Sequence, residues 1–346
     1  KLTPNIFNVI VLLSGQELEE VQIVGSRNRN RIASDTPVAI DFIDVEKSSS
    51  KSSQIEINQF LQYAIPSFNA TKQSGADGAD HIDPATIRGL GPDQTLVLIN
   101  GKRRHQASLI NLYGTRGRGN SGTDLNAIPI SAIKRIELLK DGASAQYGSD
   151  AIAGVLNIIL KDNDNELNVN STLGFHNANG KSISPSKVDG FTYKLGLNYG
   201  TKINKGGFIN FSTEALSTDN TIRPGTLARE KYGQAAVKNV SLFLNSEIPI
   251  YENTKLYLNG GLNYKNTEAY AFTRKANSER NVLSIYPNGF NPLITSNILD
   301  NSLSLGMVTI FKEWNVDLNN TFGRNNFHYF IKNTVKAKHS ITQGFI

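Results

Sequence analysis

From Leu167 onward the chain alternates apolar and polar residues with a period of two, and this constrains its fold more than any other feature. Leu167, Val169, Leu173 and Phe175 alternate with Asn168, Asn170, Thr172 and Gly174, and Phe191, Tyr193, Leu195, Leu197 and Tyr199 alternate with Thr192, Lys194, Gly196 and Asn198. The dyad returns at Val240, Leu242, Leu244 and Ile248, at Leu256, Leu258, Leu262 and Tyr264, and at Trp314, Val316, Leu318 and Phe322, with less regular versions at 209–216 and 327–337. Successive side chains of a strand point to opposite faces, so these segments predict antiparallel strands with one apolar face. A soluble sandwich gives the same alternation. The polar face here is rich in Asn, Thr, Lys and Gly, with few bulky residues to fill an interior, which favours a membrane wall: apolar toward lipid, polar toward a hydrated or plugged lumen.

The connections point the same way. The segments 177–188, 218–236 and 276–302 read as long loops, whereas 202–206 and 249–253 read as short turns. Long loops at one end and tight turns at the other characterise outer-membrane barrels. No run reaches the ~18–20 apolar residues of a spanning helix. The formal net charge of +6, from 36 basic and 30 acidic residues, is spread along the chain and does not indicate a nucleic-acid partner. The absence of cysteine excludes disulfides, thiolate metal sites and cysteine nucleophiles.

Before Asp162 the pattern is that of a small α+β globule. Residues 38–43 alternate as a short strand; Ile57, Phe60, Leu61 and Ala64 fall at helical spacing and Pro66 ends that helix; 95–100 (TLVLIN) reads as a buried strand closed by the turn pair Asn100-Gly101. At the start, Lys1 precedes an apolar run, 6–13, and then Ser14-Gly15-Gln16, which reads as the remains of a secretory signal over 1–15. The expected organisation is therefore a signal remnant (1–15), a globular domain (16–162) and barrel strands (163–346).

The stretch 128–161, IPISAIKRIELLKDGASAQYGSDAIAGVLNIILK, closely resembles the end of the plug domain of TonB-dependent outer-membrane receptors, with Ile133, Arg135, Ile136, Glu137, Ala143, Ser144, Tyr147, Gly148, Ala151, Gly154, Val155, Asn157, Ile158 and Lys161 in register. A second block, 87–102 (IRGLGPDQTLVLINGK), places Arg88-Gly89, Leu98 and Asn100-Gly101 on the family's I-R-G and strand-turn positions. The resemblance covers roughly 19–161. It implies an α+β plug followed by an antiparallel transmembrane β-barrel in the outer membrane of a Gram-negative bacterium. The activity implied is active uptake of a scarce ligand such as a ferric siderophore, driven by a TonB-type transducer and its proton-driven inner-membrane motor.

Residue roles follow from the same resemblance. Glu20, Val21, Gln22, Ile23 and Val24 resemble the TonB box, an extended segment captured by strand addition, in which backbone groups supply the affinity; the alternative is the first strand of the plug itself. Arg88 and Arg135 would pair with glutamates of the barrel wall, since partly buried arginine needs a partner. Lys102, Arg103, Arg104 and His105, with Arg116 and Arg118, form a basic set that could receive an anionic iron chelate. His81, Asp77, Asp80 and Asp83 do not amount to a metal site, and neither a cofactor motif nor a catalytic constellation is present: Gly89 and Gly91 do not form a G-x-G-x-x-G loop, and Ser144 lacks the G-x-S-x-G elbow. A glycan-importing receptor and a secreted β-rich binding module are the alternatives. Family barrels have about 22 strands, against seven or eight candidates here. A barrel of ~8 strands is filled by its own side chains, so the expectation is an incomplete barrel, the N-terminal part of a longer receptor.

Overall fold

The computed structural model describes residues 40–336 except 50–51, 53, 113–114, 141–143, 163–164, 181–182, 204–205, 224–227 and 313. The signal remnant and the segment Glu20, Val21, Gln22, Ile23 and Val24 lie outside the described residues.

The N-terminal domain is built on a sheet of five strands. Along the chain come β1 (Ile40–Asp44), α1 (Val45–Ser49), α2 (Ile57–Ala64), β2 (Phe68–Asn69), β3 (Thr86–Ile87), β4 (Thr95–Ile99), β5 (Lys102–Arg103), β6 (Ile133–Leu139), α3 (Ser144–Tyr147) and β7 (Gly154–Leu160). The sheet order is β1-β6-β7-β4-β5; β4 and β7 run parallel and the remaining neighbours antiparallel, while β2 and β3 form a separate pair. All five residues of β4 are buried because both faces of the sheet are covered. Val97, Ile99, Ile136, Leu156 and Ile158 pack with Ile57, Phe60 and Leu61 of α2 in the main core. Leu96, Leu98, Leu139 and Val155 form a second cluster with Ala151. Helix α2 stops where the sequence requires: Ile65, which precedes Pro66, is extended at φ −124°, ψ 108°, because proline clashes with a helical residue before it. The motif glycine Gly154 has φ 147°, and a Cβ there would lie 2.6 Å from the Leu139 carbonyl oxygen. That position admits only glycine.

The remaining strands are β8 (Leu167–Gly180), β9 (Ile183–Ile203), β10 (Gly207–Thr218), β11 (Ala236–Tyr251), β12 (Thr254–Tyr270), β13 (Leu293–Phe311) and β14 (Trp314–Lys332). They form one antiparallel meander in chain order, open at β8 and β14. The sheet is polar on the face toward the N-terminal domain and apolar on the other. Asn198, Asn210, Ser212, Asn263, Lys265 and Asp300 are buried, while Phe211, Leu242, Leu262, Leu303 and Phe322 are exposed. This is the reverse of a soluble sheet and is what a wall between lipid and lumen requires. Among the described residues no helix is long and apolar enough to cross a membrane.

Three expectations need correction. The segment 276–302 is not one loop, since β13 begins at Leu293. Its outward face carries Asn297 and Asn301 and its inward face carries Ile298, which is buried against Ile82, Ala107 and Leu109 of the N-terminal domain; the dyad is broken because this half of the strand meets that domain instead of a wet lumen. Likewise 177–188 is mostly strand, with β8 running to Gly180 and β9 starting at Ile183. The two candidate segments after Trp314 are a single strand, β14.

Candidate functional site

The N-terminal domain lies on the polar face of the wall, and the seam between them is made largely of charged and amide groups. Near the middle of the seam, Asp300 of β13 receives Arg104, whose guanidinium also reaches Ser302 Oγ, together with His105 Nε2 at 2.8 Å and Asn325 Nδ2 at 2.8 Å. Lys265 of β12 donates to Asp124 at 2.6 Å, both side chains almost wholly buried. Lys194 of β9 donates to the Ile55 carbonyl at 2.6 Å and lies 3.2 Å from Glu214 of β10. Toward the short-turn end, Asn245 joins the Lys161 carbonyl to Asn100, and Lys102 meets Asp317 at 2.6 Å. Apolar bridging is sparse: from the wall, Phe243 enters the main core and Ile298 and Phe327 join the small cluster.

Two buried groups of the domain hold unusual protonation. His81 donates to or accepts from Ser296 Oγ at 2.7 Å and stacks 6.2 Å from Phe327. Burial, opposed by Asp80 and reinforced by Lys265 and Lys72, pushes its imidazole down to about 4, so it is neutral at physiological pH. Lys72 bridges Glu56 and Asp83, the latter at 3.1 Å. Burial raises the Asp83 carboxyl to about 6 despite Lys72. At Glu56 burial also raises, but the charge of Lys72 outweighs it and the carboxyl stays low.

At the long-loop end the connections 219–235 and 271–292 gather arginine and aromatic residues. Arg229 pairs with Asp77 of the N-terminal domain at 3.2 Å and lies 3.9 Å from the Phe272 ring centroid. Lys231 lies over the Tyr270 ring, and Tyr286 stacks on Phe290 at 4.4 Å. Arg274 is held below its ordinary range by burial and then by the like charges of Arg280 and Arg229. These residues were not singled out from the sequence. The signal was present as Arg274-Lys275 and Arg280 beside Tyr270 and Phe272 in one long connection.

The basic set read from the sequence does not converge. Arg104 and His105 face Asp300 in the seam; Arg103 turns to Asp150 and the Tyr147 carbonyl; Arg116 donates to Asn69 Oδ1 at 2.8 Å and the Thr71 carbonyl at 2.6 Å; Arg118 is exposed. Neighbouring residues of an extended segment point to opposite sides, so Arg103 and Arg104 cannot share one ligand. Arg135 donates to Glu137 at 2.9 Å within β6, where the resemblance implies a wall glutamate; residues i and i+2 of a strand share a face. Arg88 is exposed in the turn after β3, at φ 52°. The wall glutamate that does meet the domain is Glu214, 3.4 Å from the Ser131 amide.

The comparisons agree with this architecture. Residues 32–155 match the family model described as TonB-dependent Receptor Plug Domain. The chain is 31% identical over 147 residues to the ferric enterobactin receptor of Pseudomonas aeruginosa, covering 41% of this chain and 19% of that protein. It is 34% identical over 146 residues to a probable TonB-dependent siderophore receptor, PirA, of Acinetobacter baumannii, again covering 19% of that protein. Its fold is similar to the crystal structure of the siderophore receptor PirA from Pseudomonas aeruginosa, with a TM-score of 0.54 at 16% identity, covering 85% of this chain and 41% of that one. The chain thus spans less than half the length of these relatives.

Two outcomes are expected from the seam. Arg104→Ala should cost about 3–5 kcal/mol of stability by leaving Asp300 buried without its main partner, and Arg104→Ala with Asp300→Asn should cost less than the two changes added; urea unfolding of the folded receptor in detergent measures both. For His81, a base whose pKa falls from 6.5 in the unfolded chain to about 4 when folded, the unfolded state binds the extra proton between these values. Its contribution is present above pH 6.5 and lost as pH falls toward 4. The raised Asp83 acts oppositely below about 6, so the quantity to compare is wild type minus His81→Gln: the difference should shrink through that window.

Proposed function

Since the chain belongs to the TonB-dependent outer-membrane receptors, we propose that it forms part of a receptor for an anionic iron chelate of the siderophore kind. The protein lies in the outer membrane of a Gram-negative bacterium. The long loops would face outward and present Arg274, Arg280 and Lys231 with Tyr232, Tyr286 and Phe272 to the ligand. The observation that carries the reading is the set of cation–ring contacts in these loops, Arg229 at 3.9 Å from the Phe272 ring centroid and Lys231 at 4.7 Å from that of Tyr270, with Arg274 and Arg280 in the same connection as Phe272: basic and aromatic groups side by side favour a planar, negatively charged ligand. The names of the relatives, receptors for ferric enterobactin and other siderophores, support the same class.

Transport would require the N-terminal domain to shift from the wall. A polar seam suits such movement, since groups such as Lys265, Asp124, Arg104 and Asp300 can regain water when separated, whereas an apolar seam would expose hydrophobic surface. The energy would come from a TonB-type transducer that captures Glu20, Val21, Gln22, Ile23 and Val24 by strand addition. Arg229, bonded to Asp77, connects an outward loop to the domain and would report ligand arrival.

One pair of variants separates binding from energy coupling. In the full receptor Arg274→Glu with Arg280→Glu should weaken binding of the ferric chelate about tenfold or more. Ile23→Pro should leave binding intact and abolish uptake, because proline removes a backbone donor and fixes φ. Binding by intrinsic fluorescence quenching and uptake of radiolabelled iron, measured in the same cells, give the two quantities. Unchanged binding in the double glutamate variant would remove the loop arginines from the site, and intact uptake in Ile23→Pro would remove the proposed handle.

A further inference from the structure

The lipid-facing side of the wall carries a notch. Across five strands, one row of outward residues reads Phe211, Leu244, Gly260, Leu303 and Phe322, in direct register. The glycine at the centre has no side chain, and the leucines and phenylalanines beside it stand up around the gap. With Leu242, Leu258 and Leu262 they enclose a groove of about 370 Å³, at the lower end of the ~300–1,000 Å³ of small-molecule sites. The glycine is fixed by the strands, because a Cβ at 260 would lie 2.2 Å from the Ser302 carbonyl oxygen.

The groove ends toward the long loops at a polar group. The next row is Thr213, Leu242, Leu262, Asn301 and Arg324, so Arg324 stands beside Asn301, which lines the groove, and one pleat above Phe322. Arg324 is exposed; its Nε donates to Asn326 Oδ1 at 3.2 Å, and among the described residues no carboxylate lies within ion-pair distance of it. The outward carboxylate Glu268, farther toward the loops, is occupied by Lys332. Below this row the outward residues of β14 are Phe322, Asn320, Leu318, Val316 and Trp314; above it Asn326 lies in a row with the apolar Leu299, Tyr264 and Val240, and His328 in a polar row with Asn297, Asn266, Lys238 and Ser217. Arg324 therefore stands just inside the edge of the apolar belt, from which its long side chain reaches toward the headgroups and can meet phosphate.

We propose that the Gly260 groove holds one acyl chain of a phosphate-bearing membrane lipid whose headgroup is bound by Arg324 with Asn301 and Asn326. The apolar length of the groove and the guanidinium at its mouth match the two parts of such a lipid. The proposal rests on the outward face lying in lipid and is independent of what the receptor transports.

The test uses the full receptor reconstituted in nanodiscs of equimolar phosphatidylglycerol and phosphatidylcholine, released into mild detergent and weighed by native mass spectrometry. Wild type should retain phosphatidylglycerol over phosphatidylcholine by about fivefold, the effect of one basic residue near an anionic headgroup. Arg324→Ala should abolish that preference, and Leu303→Trp, which fills the groove without touching the glycine, should remove the retained lipid of both kinds. Lys332→Ala, a basic residue on the same face away from the groove, should change nothing. Heat-modifiable migration on gels confirms that each variant is folded. Equal retention of the two lipids by wild type, an equal loss in Lys332→Ala, or full retention in folded Leu303→Trp would each overturn the site.

Discussion

Everything in this chain depends on the requirement that backbone N–H and C=O groups find partners where there is no water. Inside hydrocarbon an unpaired group costs several kcal/mol, so seven long strands hydrogen-bond in unbroken sequence from β8 to β14. Once the backbone is committed to that ladder, the side chains have only two directions. One meets lipid and is apolar; the other meets the lumen and is polar. The inverted burial of the wall, with buried Asn, Ser, Lys and Asp and exposed Leu, Phe and Tyr, follows from this constraint.

The same constraint decides how the N-terminal domain is held. Its own core is apolar and close-packed, centred on α2, β4, β6 and β7. The face offered by the wall is polar, so the seam is made of pairs such as Arg104–Asp300 and Lys265–Asp124. Buried ion pairs give modest net stability compared with apolar packing, yet breaking one partner is costly. The result is a domain with a firm interior and a boundary that water can open. The neutral His81 and the Lys72 bridge between Glu56 and Asp83 sit close to that boundary and tie its energetics to protonation.

Much of the architecture was legible in the sequence because it rests on local rules. Period two marks β8 to β12 and, as two segments, β14; helical spacing and Pro66 mark α2; the block 128–161 marks β6 and β7, with Gly154 at the start of β7. What the sequence does not show is non-local. Strand β13 was hidden because its inward Ile298 packs against the N-terminal domain and its outward Asn297 and Asn301 lie near the edge of the apolar belt. Arg104 and His105 look like part of one basic patch in the sequence, and nothing there announces that Asp300, far along the chain, waits opposite them. The loop arginines are the converse case, since their proximity exists only after β10 to β13 are in register.

The central claim, that the seam between domain and wall opens during transport, has a direct test. The sequence contains no cysteine, so a designed pair is the only one in this chain. A Cβ added at Gly196 of the wall would lie 3.3 Å from Ser131 Cβ of the domain, close to the ~3.5–4.5 Å of a disulfide. Uptake of a ferric siderophore by cells carrying the Ser131→Cys, Gly196→Cys receptor is then compared before and after reduction. The account predicts that the oxidised receptor binds the chelate but does not transport it, and that reduction restores uptake. Undiminished uptake with the disulfide shown to be formed would mean that the domain need not leave the wall here, and would contradict the account.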